Sequence, residues 1–158
     1  MPLKVGVNGA GGRMGQRIVA LTMKDDELSL AAALEWSGCP LLGRDVGDVA
    51  GAGQAGVPIT VKLDRHVDVI IDFSTPDGLQ SVLALCESRQ IPLVVATTGI
   101  SSELRDAVST AAQSTPIVMA PSMSVAVNLV MKLVSDAARV LRSVPDGVDV
   151  EIIERHHR

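Results

Sequence analysis

Short β-branched segments alternate with longer segments of helical periodicity along the chain, and this alternation limits the folds that the chain can adopt. Strands are predicted over 3–8, 28–35, 58–61, 67–74, 92–98, 115–121 and 149–155, and helices over 13–25, 75–90, 101–114 and 124–143. Residues 36–56 are rich in Gly, Asp and Ala, which predicts a loop with at most one short helix. Repeated strand, helix, strand order predicts an α/β fold, a Rossmann-like doubly wound parallel sheet with helices on both faces.

The first strand-to-helix turn, VNGAGGRMGQR, carries the sharpest motif of the chain. Its glycines follow the spacing GxxGxxG at Gly9, Gly12 and Gly15, with Gly11 in addition, and not the more familiar GxGxxG. Glycines at such a turn let the main chain approach a pyrophosphate, which the free amides and positive end of the helix then hold. The glycines alone would also suit a tight turn without a ligand. The second strand, however, ends in Glu35, whose carboxylate can accept from ribose hydroxyls, so the unit predicts dinucleotide binding.

The choice of dinucleotide depends on the residues beside Glu35. The 2′-phosphate of NADPH needs cationic donors, and a carboxylate opposes it unless an arginine compensates. Arg13 is available, but position 36 is a tryptophan. We therefore expect NADH, NADPH or both as cofactor, with NADH used at least as well as NADPH.

Three further stretches fall at the carboxyl ends of successive predicted strands, at 72–76 (DFSTP), 96–100 (ATTGI) and 120–124 (APSMS). Doubly wound sheets bind their ligands at this edge. Small residues and hydroxyls there would let the chain pass close to a flat nicotinamide and its ribose. Each stretch alone is an ordinary helix-capping loop, but together they predict one wall of a cleft.

Composition and charge argue against several other partners. The formal net charge is −4 and the aromatic residues are Trp36 and Phe73 alone, so there is neither a cationic field nor a stacking platform for nucleic acid. No apolar run is long enough for a membrane span and the N-terminus lacks a signal-peptide pattern, so a cytoplasmic protein is expected. Cys39 and Cys86 are isolated, which predicts reduced thiols and no metal site.

In their order and separations, the segments GAGGRMG, ALE, DFSTP, ATTGI, APSMSVAVN and EIIERHHR resemble dihydrodipicolinate reductase, also called 4-hydroxy-tetrahydrodipicolinate reductase, of lysine and diaminopimelate biosynthesis. The resemblance spans essentially the whole chain. It implies an NAD(P)H-dependent oxidoreductase that reduces 4-hydroxy-tetrahydrodipicolinate, a cyclic dicarboxylate, to tetrahydrodipicolinate, and that is a homotetramer at full length. The cofactor-binding residues that it implies are Gly9, Ala10, Gly11, Gly12, Arg13 and Met14 for the pyrophosphate, Glu35 for the adenosine ribose, and Ala96, Thr97, Thr98, Ala120, Pro121, Ser122 and Met123 for the nicotinamide half.

By the same resemblance, His156 is the catalytic acid or base and His157 contacts the substrate. The residues alone leave a solvated strand end as the alternative. If the strand continues to the end, Glu154 and His156 share one face, and a carboxylate so placed could orient a proton-transferring imidazole. Family members often have Asn where Ser122 stands, and several have a basic residue where Trp36 stands, which leaves the cofactor preference open.

The resemblance predicts a dinucleotide-binding domain over 1–123, and over 124–158 a linking helix followed by the truncated start of an α+β substrate domain. Full-length members continue to a catalytic lysine and a PSGTA-like loop, so the 158 residues alone are expected to bind cofactor with little or no turnover. Two alternatives share the glycine motif and the fold, namely a non-catalytic NAD(H)-sensing module and a homoserine-dehydrogenase-like oxidoreductase. Neither accounts for the strand-end motifs followed by two histidines.

Overall fold

A six-stranded parallel sheet organises the first of the two compact units of the chain, Met1–Pro121. The computed structural model describes residues 1–120, 122–145 and 147–153. The strands are β1 (Leu3–Asn8), β2 (Leu28–Leu34), β3 (Ile59–Thr60), β4 (Val69–Asp72), β5 (Leu93–Val95) and β6 (Ile117–Met119). Their order across the sheet is β3-β2-β1-β4-β5-β6, and every neighbouring pair is parallel. The predicted Rossmann-like doubly wound sheet is therefore confirmed.

Four helices of this unit connect the strands, and their starts follow from the capping residues. They are α1 (Arg13–Thr22), α2 (Val46–Val49), α3 (Pro76–Arg89) and α4 (Ser102–Ala111). The side chains of Asp45, Thr75 and Ser101 accept hydrogen bonds from amides in the first turns of α2, α3 and α4. Helix α1 differs, because its N-cap is Gly12, which has no side chain to offer.

Two aliphatic clusters cover the two faces of the sheet, as expected for parallel strands buried on both sides. Helices α1 and α2 pack on one face, over Val5 and Val7 of β1. Helices α3 and α4 pack on the other face, over Ile70 of β4 and Leu93 of β5. Both layers thus leave the carboxyl ends of the strands open.

The strands are shorter than the apolar runs of the sequence suggest. Strand β5 ends at Val95, although its predicted segment continued to 98, so Ala96–Thr98 leave the sheet and form a loop at its carboxyl edge. The predicted loop over 36–56 does contain one short helix, α2. Asp45 caps the start of this helix, because its side chain accepts hydrogen bonds from amides in the first turn.

The second unit, Ser122–Arg158, contains helix α5 (Val125–Leu141), in which no residue is buried. The prediction of a strand over 149–155 is wrong for residues 149–153, which pair with no other described segment, because extended chain becomes a strand only through hydrogen bonds to a neighbour. Residues 154 and 155 lie outside the described residues. Within the described part of the chain, no helix is long and apolar enough to cross a membrane.

Candidate functional site

A cleft of about 980 Å³ opens in the first unit, at the carboxyl ends of β1, β2 and β4. The strand order changes direction beside β1, and doubly wound sheets hold their ligands at such a switch point. The volume lies within the range of small-molecule and cofactor sites. The residues that line the cleft include Asn8, Gly9, Gly11, Gly12, Glu35, Trp36 and Ser74.

The turn after β1 is held close to the end of β4, which explains the glycine at its first position. Gly9 has a φ of +76°, a left-handed conformation that L side chains rarely adopt. A Cβ at Gly9 would lie 2.7 Å from the carbonyl oxygen of Phe73 and 2.8 Å from the Cα of Ser74. A Cβ at Gly15, in the first turn of α1, would overlap the carbonyl oxygen of Gly9. The turn is therefore packed from both sides by backbone.

The first turn of α1 presents unused amide donors. Gly12 is extended and provides no side-chain cap, while its own amide donates to the carbonyl of Gly9 at 3.0 Å. No described residue accepts a hydrogen bond from the amides of Arg13, Met14 or Gly15. Amides left free in this way, together with the positive end of the helix dipole, form a binding site for an anion.

Glu35 faces this turn from the end of β2. Its Oε1 accepts a hydrogen bond from the amide of Gly11 at 2.9 Å, and its Oε2 accepts one from the amide of Trp36 at 3.3 Å. A carboxylate has about four acceptor positions, so others remain for a ligand's hydroxyl groups. The Trp36 side chain beside it lines the cleft and is 67% exposed.

A buried carboxylate connects the ends of β1, β4 and the segment after β5. Asp72, the last residue of β4, is fully buried. Its Oδ1 accepts from Asn8 Nδ2 at 2.7 Å and from Ser74 Oγ at 2.5 Å, and its Oδ2 accepts from Thr97 Oγ1 at 2.6 Å. Asn8 and Ser74 also line the cleft, so two of the three donors to Asp72 connect the carboxylate to its wall.

Cys86 of α3 is buried near the same carboxylate. Burial raises the pKa of the Cys86 thiol to about 12, and the negative charge of Asp72 acts in the same direction. A thiol with a pKa this high carries little thiolate at neutral pH, which argues against Cys86 as a nucleophile.

The structure brings together one half of the residues assigned to the cofactor. Gly9, Gly11, Gly12 and Glu35 line the same cleft, and Ala10 is buried beneath the turn. Arg13 and Met14 follow in the first turn of α1, where their side chains are exposed.

Of the residues assigned to the nicotinamide half, those that the structure describes in the first unit do not line this cleft. Ala96, Thr97 and Thr98 follow β5 at the same edge of the sheet, with Thr97 buried and bonded to Asp72. Ala120 follows β6 in the first unit, whereas Ser122 and Met123 belong to the second unit. Pro121, His156 and His157 lie outside the described residues.

The sequence motifs did not reveal the roles of Asn8 and Asp72. A signal was present, because each is a polar residue at the end of an apolar strand, and the register pairs Asn8 with Asp72 across β1 and β4. Within the part of the chain that the structure describes, no group of three His, Cys, Asp or Glu side chains could hold a metal ion.

Comparisons with known proteins agree with this geometry. Residues 3–123 match the family described as dihydrodipicolinate reductase, N-terminus. The 4-hydroxy-tetrahydrodipicolinate reductase of Rhodopirellula baltica is 44% identical over 162 residues, and the match covers 99% of this chain and 58% of the relative. That of Methylococcus capsulatus is 42% identical over 161 residues, and the match covers 100% of this chain and 59% of the relative. A solved dipicolinate-bound dihydrodipicolinate reductase from Paenisporosarcina sp. TG-14 has a TM-score of 0.68 and 25% identity, covering 87% of this chain and 54% of its own. The chain thus spans less than two thirds of each of these relatives.

Proposed function

This chain belongs to the dihydrodipicolinate reductase family, as the match of residues 3–123 to the N-terminal part of that family establishes, and we propose from this premise that its first unit binds NADH or NADPH. The observation that carries the proposal is the row of unused amides at the start of α1, beside a cleft of about 980 Å³. The residues fit a dinucleotide, because backbone at Gly9–Met14 can hold the pyrophosphate while Glu35 accepts from the adenosine ribose.

We propose that the nicotinamide half is held by Ala96–Thr98 and by Ala120–Met123. Support comes from the position of Ala96–Thr98 at the carboxyl edge of the sheet, next to β4, and from the family resemblance of both segments. The resemblance further assigns His156 as the acid or base and His157 as a substrate contact.

For the whole protein we propose reduction of 4-hydroxy-tetrahydrodipicolinate in lysine and diaminopimelate biosynthesis, by a cytoplasmic homotetramer. The names of the relatives support this reaction, and two of them are matched over nearly the whole of this chain. The bound dinucleotide would supply hydride. The contribution of this chain is to orient the cofactor and to place a proton donor or acceptor, His156, toward a dicarboxylate substrate.

The only tryptophan of the chain allows the binding proposal to be tested directly. The chain has one Trp and no Tyr, so fluorescence excited near the indole band comes from Trp36, which lines the cleft. NADH is expected to quench this fluorescence in a saturable manner, because the adenosine half would lie beside the indole. ADP-ribose should compete with NADH. If saturating NADH changes neither the Trp36 signal nor the heat of mixing in calorimetry, the proposed cofactor site is wrong.

The same titration with NADPH tests the expected preference. Glu35 stands where a 2′-phosphate would approach, and the neighbouring residue is Trp36 in place of a cation. Equal dissociation constants would agree with the prediction, whereas a preference of about tenfold or more for NADPH would contradict it. The reaction itself is tested by substrate-dependent oxidation of NADH by the whole protein.

A further inference from the structure

We propose that Asp72 is a positioning residue that ties together the segments holding the two halves of the cofactor. The inference rests on the proposed function, and it gives Asp72, the first residue of the strand-end stretch 72–76, a role that the sequence motifs do not assign. Asp72 does not itself line the cleft and would not contact the cofactor. It would act through Asn8, Ser74 and Thr97, whose side chains donate to its two carboxylate oxygens.

The three donors come from three different stretches of chain. Asn8 is the last residue of β1 and directly precedes the glycine turn, while Ser74 follows β4 and lines the cleft. Thr97 lies at the centre of Ala96–Thr98, the segment proposed to hold nicotinamide. The amide of Ala96 also donates to the Asp72 carbonyl oxygen at 3.0 Å. Residue 72 therefore fixes the start of the segment by its backbone and the middle of it by its side chain.

Packing alone does not explain a carboxylate at this position. Asp72 is fully buried, and no described basic side chain forms an ion pair with it. A buried carboxylate without a cation is tolerated only when hydrogen bonds satisfy its oxygens. Here an amide and a hydroxyl donate to Oδ1, and a hydroxyl donates to Oδ2. An apolar residue would fill the same space, but it would leave the buried Asn8 amide and the Thr97 hydroxyl with fewer acceptors.

The two oxygens divide the network between the two halves of the proposed site. Oδ1 bonds to Asn8 and Ser74 on the side of the cleft, and Oδ2 bonds to Thr97 on the side of the nicotinamide segment. Loss of the Thr97 hydroxyl should therefore release only the nicotinamide segment. Loss of the carboxylate should loosen both sides.

The test compares NADH with ADP-ribose, which lacks the nicotinamide half, by calorimetric titration. Thr97→Val keeps the volume of the side chain and removes the donor to Oδ2. We expect it to raise the Kd of NADH by about fivefold or more, the scale of one hydrogen bond, while the Kd of ADP-ribose stays within about twofold. Asp72→Val removes both acceptor oxygens and should raise both constants. Thr97→Ser keeps the hydroxyl and should restore the NADH constant.

A matched control separates positioning from a general loss of stability. Thr115 is also a buried threonine, 1% exposed, but it directly precedes the Pro116–Ile117 entry to β6, away from the carboxyl edge. Thr115→Val should leave both constants unchanged. The proposal is overturned if Thr97→Val leaves the NADH constant unchanged, or if it raises the NADH and ADP-ribose constants equally. If Asp72→Val does not fold, the comparison of Thr97→Val with Thr97→Ser decides the matter. Failure of the unmodified chain to bind NADH would instead reject the proposed function.

Discussion

Replacing Gly9 by alanine is expected to destabilise the chain more than the same change at Gly43. The two glycines have similar left-handed φ values, +76° and +81°, a conformation that costs an L-residue about 1–2 kcal/mol. A Cβ at position 43 would meet nothing within 4 Å, whereas at position 9 it would lie 2.7 Å from the Phe73 oxygen and 2.8 Å from the Ser74 Cα. Because these are backbone atoms, the turn or the end of β4 must move, at a typical overpacking cost of about 1–3 kcal/mol.

Gly9→Ala is therefore expected to lower the free energy of unfolding by about 2–5 kcal/mol and Gly43→Ala by about 1–2 kcal/mol. Urea unfolding followed by circular dichroism measures both, and similar m values would show that the same cooperative unit unfolds in each variant. The difference between the variants isolates the steric contact at the site. Equal losses would refute the close approach of the glycine turn to the end of β4.

Three further outcomes are expected. Trp36→Arg should lower the Kd of NADPH relative to NADH by about two- to fivefold, since an exposed cation near the 2′-phosphate contributes about 0.5–1 kcal/mol, and an unchanged ratio in paired titrations would contradict this. Cys86, with a pKa raised to about 12 by burial and by Asp72, should resist alkylation at pH 8 until urea unfolds the chain, and rapid labelling of the native protein would be evidence against it. The amide of Ala55, with those of Asp48, Gly56 and Gly47, lowers the pKa of Asp45 below its unfolded value, so its contribution to stability is present above about pH 4 and lost as pH falls. Asp45→Asn should accordingly lower the urea midpoint at pH 7, and the difference from the unmodified chain should shrink as the pH is lowered below about 4.

The order of the elements could be predicted because it depends on local patterns. The apolar runs at 3–8 and 67–74 identify β1 and β4, and Thr75 followed by Pro76 marks the start of α3. The lengths of the strands could not be predicted, because a residue can remain buried after the hydrogen-bonded ladder has ended. Thr97 is such a case, since it is buried in a loop that has left β5.

The candidate site was predictable where a single segment defines it. The glycine turn lies within Gly9–Gly15, and Glu35 could be predicted because it is the residue directly after the next strand, β2. Contacts between distant segments were not predictable in this way. Asn8 and Asp72 are 64 positions apart in the chain and meet only because β1 and β4 are adjacent in the sheet, which no local pattern specifies. The strand predicted for 149–155 failed over 149–153 for the related reason that pairing is not a local property.

The overlap that a Cβ at Gly15 would have with the Gly9 carbonyl shows that the glycine turn packs directly against the first turn of helix α1. The amide donors of Arg13 and Met14 are therefore held in place before an anion binds. The conformational entropy that this costs is lost on folding and is not lost again on binding. Association with a diphosphate should then require little rearrangement of the backbone, so that the speed of encounter is governed by diffusion and charge.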